Sequence, residues 1–214
     1  MTFDPTSRAY GISLMIGSLL MILTMVLHPI GGDFNHLLRI LTMGRIAHII
    51  GIASIPLITY GFWGLSQTMQ RPLADISFCF MLFGLIAVML AGTTNGLILM
   101  DFVQDYEGAS EETIASLTPF FRLIRNFNHA FDFLFIGAVC ISTGLWSATI
   151  LRQETLPKLL GWFGMLITIA ALVSLLAGFV FVDVHGFRIF IFGWVAWVIL
   201  AGYLLAFRKI TTST

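Results

Sequence analysis

Six polar residues crowd the stretch RLIRNFNHAFDF: Arg122, Arg125, Asn126, Asn128, His129 and Asp132. An imidazole three residues before a carboxylate can serve one metal ion from a single helix face, while guanidinium groups beside carboxamides can hold an anionic head group. At about 100° per residue, Arg122, Arg125, Asn126, His129 and Asp132 fill a sector of about 120°, with Asn128 a further ~40° round. Leu123, Ile124, Phe127, Ala130, Phe131 and Leu134 occupy the rest of the wheel. That division predicts a helix with one side towards protein or water and the other towards lipid. Thr93, Thr94, Asn95 and Asp101 near the end of one apolar run, and Arg45 and His48 at the start of another, supply comparable groups.

The elements that carry these residues are membrane spans. The chain has 214 residues, 58% of them hydrophobic and only 10% charged, and its mean hydropathy is +0.95. Soluble domains carry about a quarter charged residues, so the composition specifies an integral membrane protein. Crossing about 30 Å of hydrocarbon takes roughly 20 apolar residues in a helix, and lipid requires backbone groups to be satisfied within the segment. Six runs meet that length, at residues 9–28, 46–68, 74–100, 120–151, 158–182 and 187–207. The expected fold is therefore all-α, a single domain (1–214) of six transmembrane helices.

Pro5, Pro72, Pro119 and Pro157 stand just before or at the start of four of these runs, and His28-Pro29 with Gly31-Gly32 closes the first. Pro56 lies inside the second, where a kink is expected, its freed carbonyl met by a neighbouring helix or hydroxyl. The acidic connection 101–118 has room for a short helix after Ser110. A first run of this length exceeds a secretory signal and reads as a retained span.

The side holding both termini carries Arg8, Arg71, Arg152, Lys158, Arg208 and Lys209 against Asp4, Asp75 and Glu154, a net of +3 from six basic and three acidic residues. The opposite side carries five arginines against eight acidic residues, a net of −3. The basic excess predicts cytoplasmic termini, and Trp63, Trp146, Trp162, Tyr10, Tyr60 and Tyr203 fall on that side as an interfacial belt would. All five histidines, His28, His36, His48, His129 and His185, then face the other way. Each returning helix there begins with arginine, in GRIAHIIG, FRLIRNFNHAFDF and HGFRIFIFGW, the pattern of a weak internal repeat. Cys79 and Cys140 sit in apolar runs without metal or redox spacing and read as packing residues. Formal charge sums to zero, which removes the basic field a nucleic-acid partner requires.

Several chemistries fit the polar layer. The plainest is structural: arginines and aspartates pair across helix mouths while asparagines and threonines bridge spans. Asn95 and Asp132 fit it least, being deepest in the expected hydrocarbon. The second is a binding or transport pocket lined by Arg122, Arg125, Asn126, His129, Asp132, Asn95 and His48, for a small molecule or lipid head group. The third is a zinc hydrolase with His48, His129 and Asp132 as ligands, extended by His28 or His185, whose metal-bound water would cleave a lipid amide or ester. A single haem between His48 and His129 is a fourth; stacked haems across the bilayer are excluded, since no histidine falls in the other half. Gly92, Gly96, Gly137 and Gly144 are expected where helices approach closely.

The second half of the chain, through FIGAVCISTGLWSATI, LPKLLGWFGMLITIAALVSLLAGF and FGWVAWVILAGYLL, resembles bacterial six-span membrane families of unknown function. The resemblance implies a bacterial cytoplasmic-membrane protein of this layout and carries no catalytic assignment. The sequence sets no oligomeric state.

Overall fold

The computed structural model describes residues 4–29, 32–153 and 155–207. Gly31, Glu154, Arg208 and Lys209, which entered the sequence reading, lie outside them. The described residues form helices α1 (Pro5–Leu27), α2 (Phe34–Met69), α3 (Pro72–Thr93), α4 (Leu99–Asp105), α5 (Glu111–Ser116), α6 (Thr118–Leu151), α7 (Lys158–Leu176) and α8 (Val184–Ala206). A π-helical turn, Thr94–Ile98, joins α3 to α4 without a break. Six of the resulting rods are long and apolar enough to cross a membrane: α1, α2, the continuous Pro72–Asp105, α6, α7 and α8.

Local chemistry sets the ends. Asp4, Asp33 and Asp183 each accept a hydrogen bond from a backbone N–H in the first turn of α1, α2 and α8, at 3.0, 2.8 and 2.6 Å. Ser110 does the same for α5, from Thr113 at 3.2 Å. Gln70 takes the left-handed conformation at φ 48° and turns the chain from α2 into α3. The Asp33 cap starts α2 at Phe34, well before residue 46, because Leu37, Leu38, Ile40 and Leu41 continue the apolar pattern back to it. At the other extreme α7 stops at Leu176 and not at residue 182. Gly178, at φ 84°, turns the chain there, with the Phe179 N–H donating back to the Ser174 carbonyl. Around Pro56, Ser54 and Thr59 hydroxyls donate to the Gly51 and Ile55 carbonyls, and Ser13 reaches across from α1 to the Leu57 carbonyl at 2.8 Å.

The helices form a closed ring in chain order: α1 packs on α2 and α8, α2 on α3, α3 on α6, α6 on α7 and, more thinly, α7 on α8. The α1–α8 closure brings the start of α1 and the end of α8, the described segments nearest the termini, to the same end of the bundle. There Ser7 donates to the Leu205 carbonyl at 3.0 Å, and a Cβ on Gly11 would strike the backbone of Gly202 and Ala206.

Aromatic side chains fill the ring axis towards that end. Phe62 stacks on Trp146 with centroids 4.8 Å apart and an interplanar angle of 12°, and lies 5.9 and 6.5 Å from Trp194 and Trp197. Each indole N–H is satisfied, by Ser66, Thr143 and the Leu160 carbonyl respectively. Trp146 is fully buried. It belongs to this core and not to an interfacial belt, whereas Trp63, Trp162, Tyr60 and Tyr203 are exposed. Of the two cysteines, Cys79 is exposed and Cys140 half-buried.

Helix length decides what lies beyond the membrane. α1, α7 and α8, of 23, 19 and 23 residues, just cover about 30 Å at 1.5 Å per residue. α2 has 36 residues, and Pro72–Asp105 and α6 have 34 each, so each exceeds that thickness by about 20 Å. The surplus projects opposite the termini, because α1 starts level with the end of α2, where Gly61 and Gly64 meet Leu14 and Tyr10. The Gln153 amide likewise donates to the Met69 carbonyl, so α2 and α6 finish at one level. The projecting ends share a small core in which Phe102 packs on Phe120 and Phe121, and Phe34 on Phe121.

Replacing Phe62 by alanine should cost about 3–5 kcal/mol in detergent unfolding, since the void left in a fixed aromatic stack cannot close. The same change at outward-facing Phe83 should cost far less; equal losses would remove the axial stack as the core of the bundle.

Candidate functional site

Above the aromatic plug the ring axis is hollow. A cavity of about 130 Å³ is walled by α1, α2, α3, α6 and α8 and by residues 182–183 just before α8. Its apolar lining includes Met21, Ile55, Val88, Phe187 and Ile191. Its polar wall comprises His28, His48, Asn128, Asp132, Asp183 and Arg188, with Thr24 and Ser54 adding hydroxyls. His28 caps the end of α1 and Arg188 lies in the second turn of α8, which sets the polar wall at the end opposite the termini.

The π-helical turn creates part of this arrangement. It brings Asn95 against Asn128, its Nδ2 donating to the Asn128 Oδ1. Asn128 Nδ2 donates in turn to Asp132 Oδ2 at 2.7 Å. Asp132 is only 7% exposed, and its second carboxylate oxygen makes no hydrogen bond. Gly96, in the same turn, leaves room for the His48 ring, because a Cβ there would fall on the imidazole. π-turns inside α-helices recur at functional sites, where the extra residue re-aims a side chain.

The two imidazoles that line the cavity face each other with centroids 4.8 Å apart. His48 Nδ1 lies 2.7 Å from the Gly44 carbonyl and His28 Nδ1 2.9 Å from the Pro29 carbonyl. A carbonyl only accepts, so each Nδ1 carries the proton and, in a neutral ring, each Nε2 keeps its lone pair. His28, just past the last residue of α1, is pushed down to about 4, chiefly by burial and then by His48, against the raising effect of its bond to Pro29. Arg188 Nη2 donates to the His28 carbonyl at 2.6 Å, while its Nε is enclosed and unpaired.

The residues singled out in the sequence thus divide. His48 and Asp132 line the cavity, and Asn95 joins it through Asn128. Arg122, Arg125, Asn126 and His129 are exposed on α6, Arg122 and Asn126 along a shallow groove beside Pro119. The first turns of α6 belong to the length it has beyond about 30 Å, and these groups stand outside the cavity. For the zinc reading, His28, His48 and Asp132 share the cavity while His129 and His185 are exposed. Among the described residues no group of three His, Cys, Asp or Glu side chains converges closely enough for a metal ion. For the haem reading, exposed His129 stands outside the cavity that holds His48.

The four arginines of the apparent repeat take three different environments. Arg45 pairs with Asp101 at 2.5 Å and with Gln104 at 2.7 Å, Arg188 enters the cavity wall, and Arg122 and Arg125 are exposed. Gly144 packs against Thr168 and Gly92 touches Ile52, but Gly137 has nothing nearby.

Asn128, Asp183 and Arg188, with Thr24 and Ser54, are polar wall residues that the sequence reading did not select for the site. A signal for Asn128 exists: the buried stripe Phe135, Val139, Ser142 and Trp146, continued backwards at helical spacing, runs through Asp132 to Asn128 and misses His129. No family model matches the chain, and no curated protein or solved structure matches it either.

The unfolded chain protonates His28 near the ordinary 6.5, whereas the folded site resists until about 4. Stability should therefore fall with pH between those values, by on the order of 2 kcal/mol over two units. His28→Gln should flatten the pH dependence of the melting temperature by that amount; identical slopes for both proteins would contradict a buried, neutral His28.

Proposed function

We propose that this chain is a bacterial cytoplasmic-membrane protein that binds the polar head of an amphiphile, a small molecule or a lipid, in the cavity at one end of its helix ring. On this reading both termini are cytoplasmic and the cavity faces outward, as the basic excess at the terminal side favours. The observation that carries the proposal is a single cavity whose lining is mostly apolar and includes a few polar groups, His28, His48, Asn128, Asp132 and Arg188 among them. A ligand with a tail and a hydrogen-bonding head matches that lining, and one without a tail leaves the apolar part wet.

The axial stack of Phe62, Trp146, Trp194 and Trp197 favours binding or sensing over passage. It fills the ring below the cavity with fully buried rings, and opening a route would require breaking several aromatic contacts, each worth about 0.5–1.5 kcal/mol beyond burial.

Native mass spectrometry of protein purified in mild detergent tests this. Wild type should retain one amphiphile-sized adduct through delipidation. Gly92→Leu, which fills the cavity from its wall, should lose it, while Gly137→Leu, which faces open space, should keep it. Equal retention by both variants, or no adduct on wild type, would defeat the proposal.

A further inference from the structure

The cavity lining holds an acidic and a basic side chain that do not pair with each other. Asp132, 7% exposed, comes from α6, and Arg188 comes from α8. Both line the same cavity, yet no ion pair joins them. Among the described residues, Asp132 has one donor, Asn128, on one oxygen, and Arg188, whose Nη2 donates to a backbone carbonyl, has no carboxylate partner. A buried carboxylate and a half-buried guanidinium without counter-charges are costly to keep ionised, and within a bilayer such residues are retained where something pairs them. Water in the cavity offsets part of that cost, and a ligand that presents both complementary charges offsets more.

A ligand with one charge cannot serve both walls. An anion drawn to Arg188 enters the field of Asp132, and a cation drawn to Asp132 enters that of Arg188. Asp183 adds a second carboxylate on the α8 side, but its Oδ1 is held by the Gly186 N–H in the cap of that helix. The imidazoles refine the choice further. With Nδ1 committed to backbone carbonyls, neutral His28 and His48 present Nε2 as acceptors. The free oxygen of Asp132 is an acceptor as well, and Asn128 has its carboxamide oxygen and nitrogen engaged with Asn95 and Asp132. Apart from the remaining N–H groups of Arg188, this wall asks for donors.

We infer that the cavity takes a zwitterionic head group, its primary ammonium received by Asp132 and the imidazoles and its acidic group by Arg188. The inference rests on the binding reading above and names the ligand class for that same site. The shared chemistry, an ammonium a few bonds from a phosphate or carboxylate, occurs both in amino-phospholipid head groups and in free amino acids and phosphoamines. The ammonium must carry N–H bonds, since a trimethylammonium cannot donate to a carboxylate or an imidazole.

Isothermal titration of the full chain in maltoside micelles decides it with four probes of equal tail length and one free head group. These are dihexanoyl phosphatidylethanolamine, dihexanoyl phosphatidylcholine, dihexanoyl phosphatidylglycerol, hexylamine and free phosphoethanolamine. The ethanolamine lipid should bind at least tenfold tighter than the choline lipid, the glycerol lipid or the amine. Asp132→Asn and Arg188→Gln should each remove that preference, with Arg125→Ala as an exposed control that leaves it intact. Tight binding of free phosphoethanolamine would support the zwitterion from a soluble source and overturn the tailed ligand proposed above, whereas tight binding of the lipid alone supports both.

Equal affinity for all four tailed probes, lost in Gly92→Leu, would overturn the zwitterion while leaving the amphiphile cavity standing. No binding of any probe would overturn both. Should either charge variant fail to fold, the ranking of probes on wild type still decides.

Discussion

A bilayer tolerates a polar side chain only where protein or water satisfies it, and about 30 Å of hydrocarbon sets where that requirement applies. Everything distinctive in this chain follows from how three long and three short helices meet that thickness. The short ones, α1, α7 and α8, fix the membrane's extent. The long ones, α2, α6 and the Pro72–Asp105 rod, project past it on one side and carry arginines and carboxylates that need no burial. The level at which α1 ends, marked by His28 against His48, divides the two regimes.

The ring topology gives the interior two contrasting halves. Six rods closed around an axis leave more space than aliphatic side chains fill. Towards the termini the space is taken by Phe62 and three indoles whose N–H groups all find partners. Towards the other end the axis holds a cavity whose lining includes polar groups. The π-turn at Thr94–Ile98 belongs to the same design, since it supplies Asn95 to the hydrogen-bond chain and Gly96 to the face that accepts His48.

Much of the fold was legible because its causes are local. Run length, composition and prolines located six membrane-length helices, and Ser110 marked the short helix that follows it. The start of α2 was hidden for a local reason too: Asp33 is a helix cap embedded in what composition alone reads as a connecting loop. The site was harder, because it depends on which face of α6 turns inward. Polar residues alone point to a sector centred near Arg125 and His129, but the packed stripe through Phe135, Val139 and Trp146 rotates the inward face towards Asn128 and Asp132. Arg188 could not be placed from spacing at all, since its role depends on α8 closing against α1, a contact between the two ends of the chain.

The central claim is that Asp132 lives inside a three-residue polar chain and has nothing to do with its sequence neighbour His129. A pair of double-mutant cycles on unfolding stability tests it most directly. Asn95→Ala combined with Asp132→Asn should show a coupling of about 0.5–1 kcal/mol, transmitted through Asn128, while His129→Ala combined with Asp132→Asn should be additive within about 0.3–0.5 kcal/mol. Coupling in the second cycle and additivity in the first would mean that the other face of α6 turns inward, and the cavity described above would not be the one the protein uses.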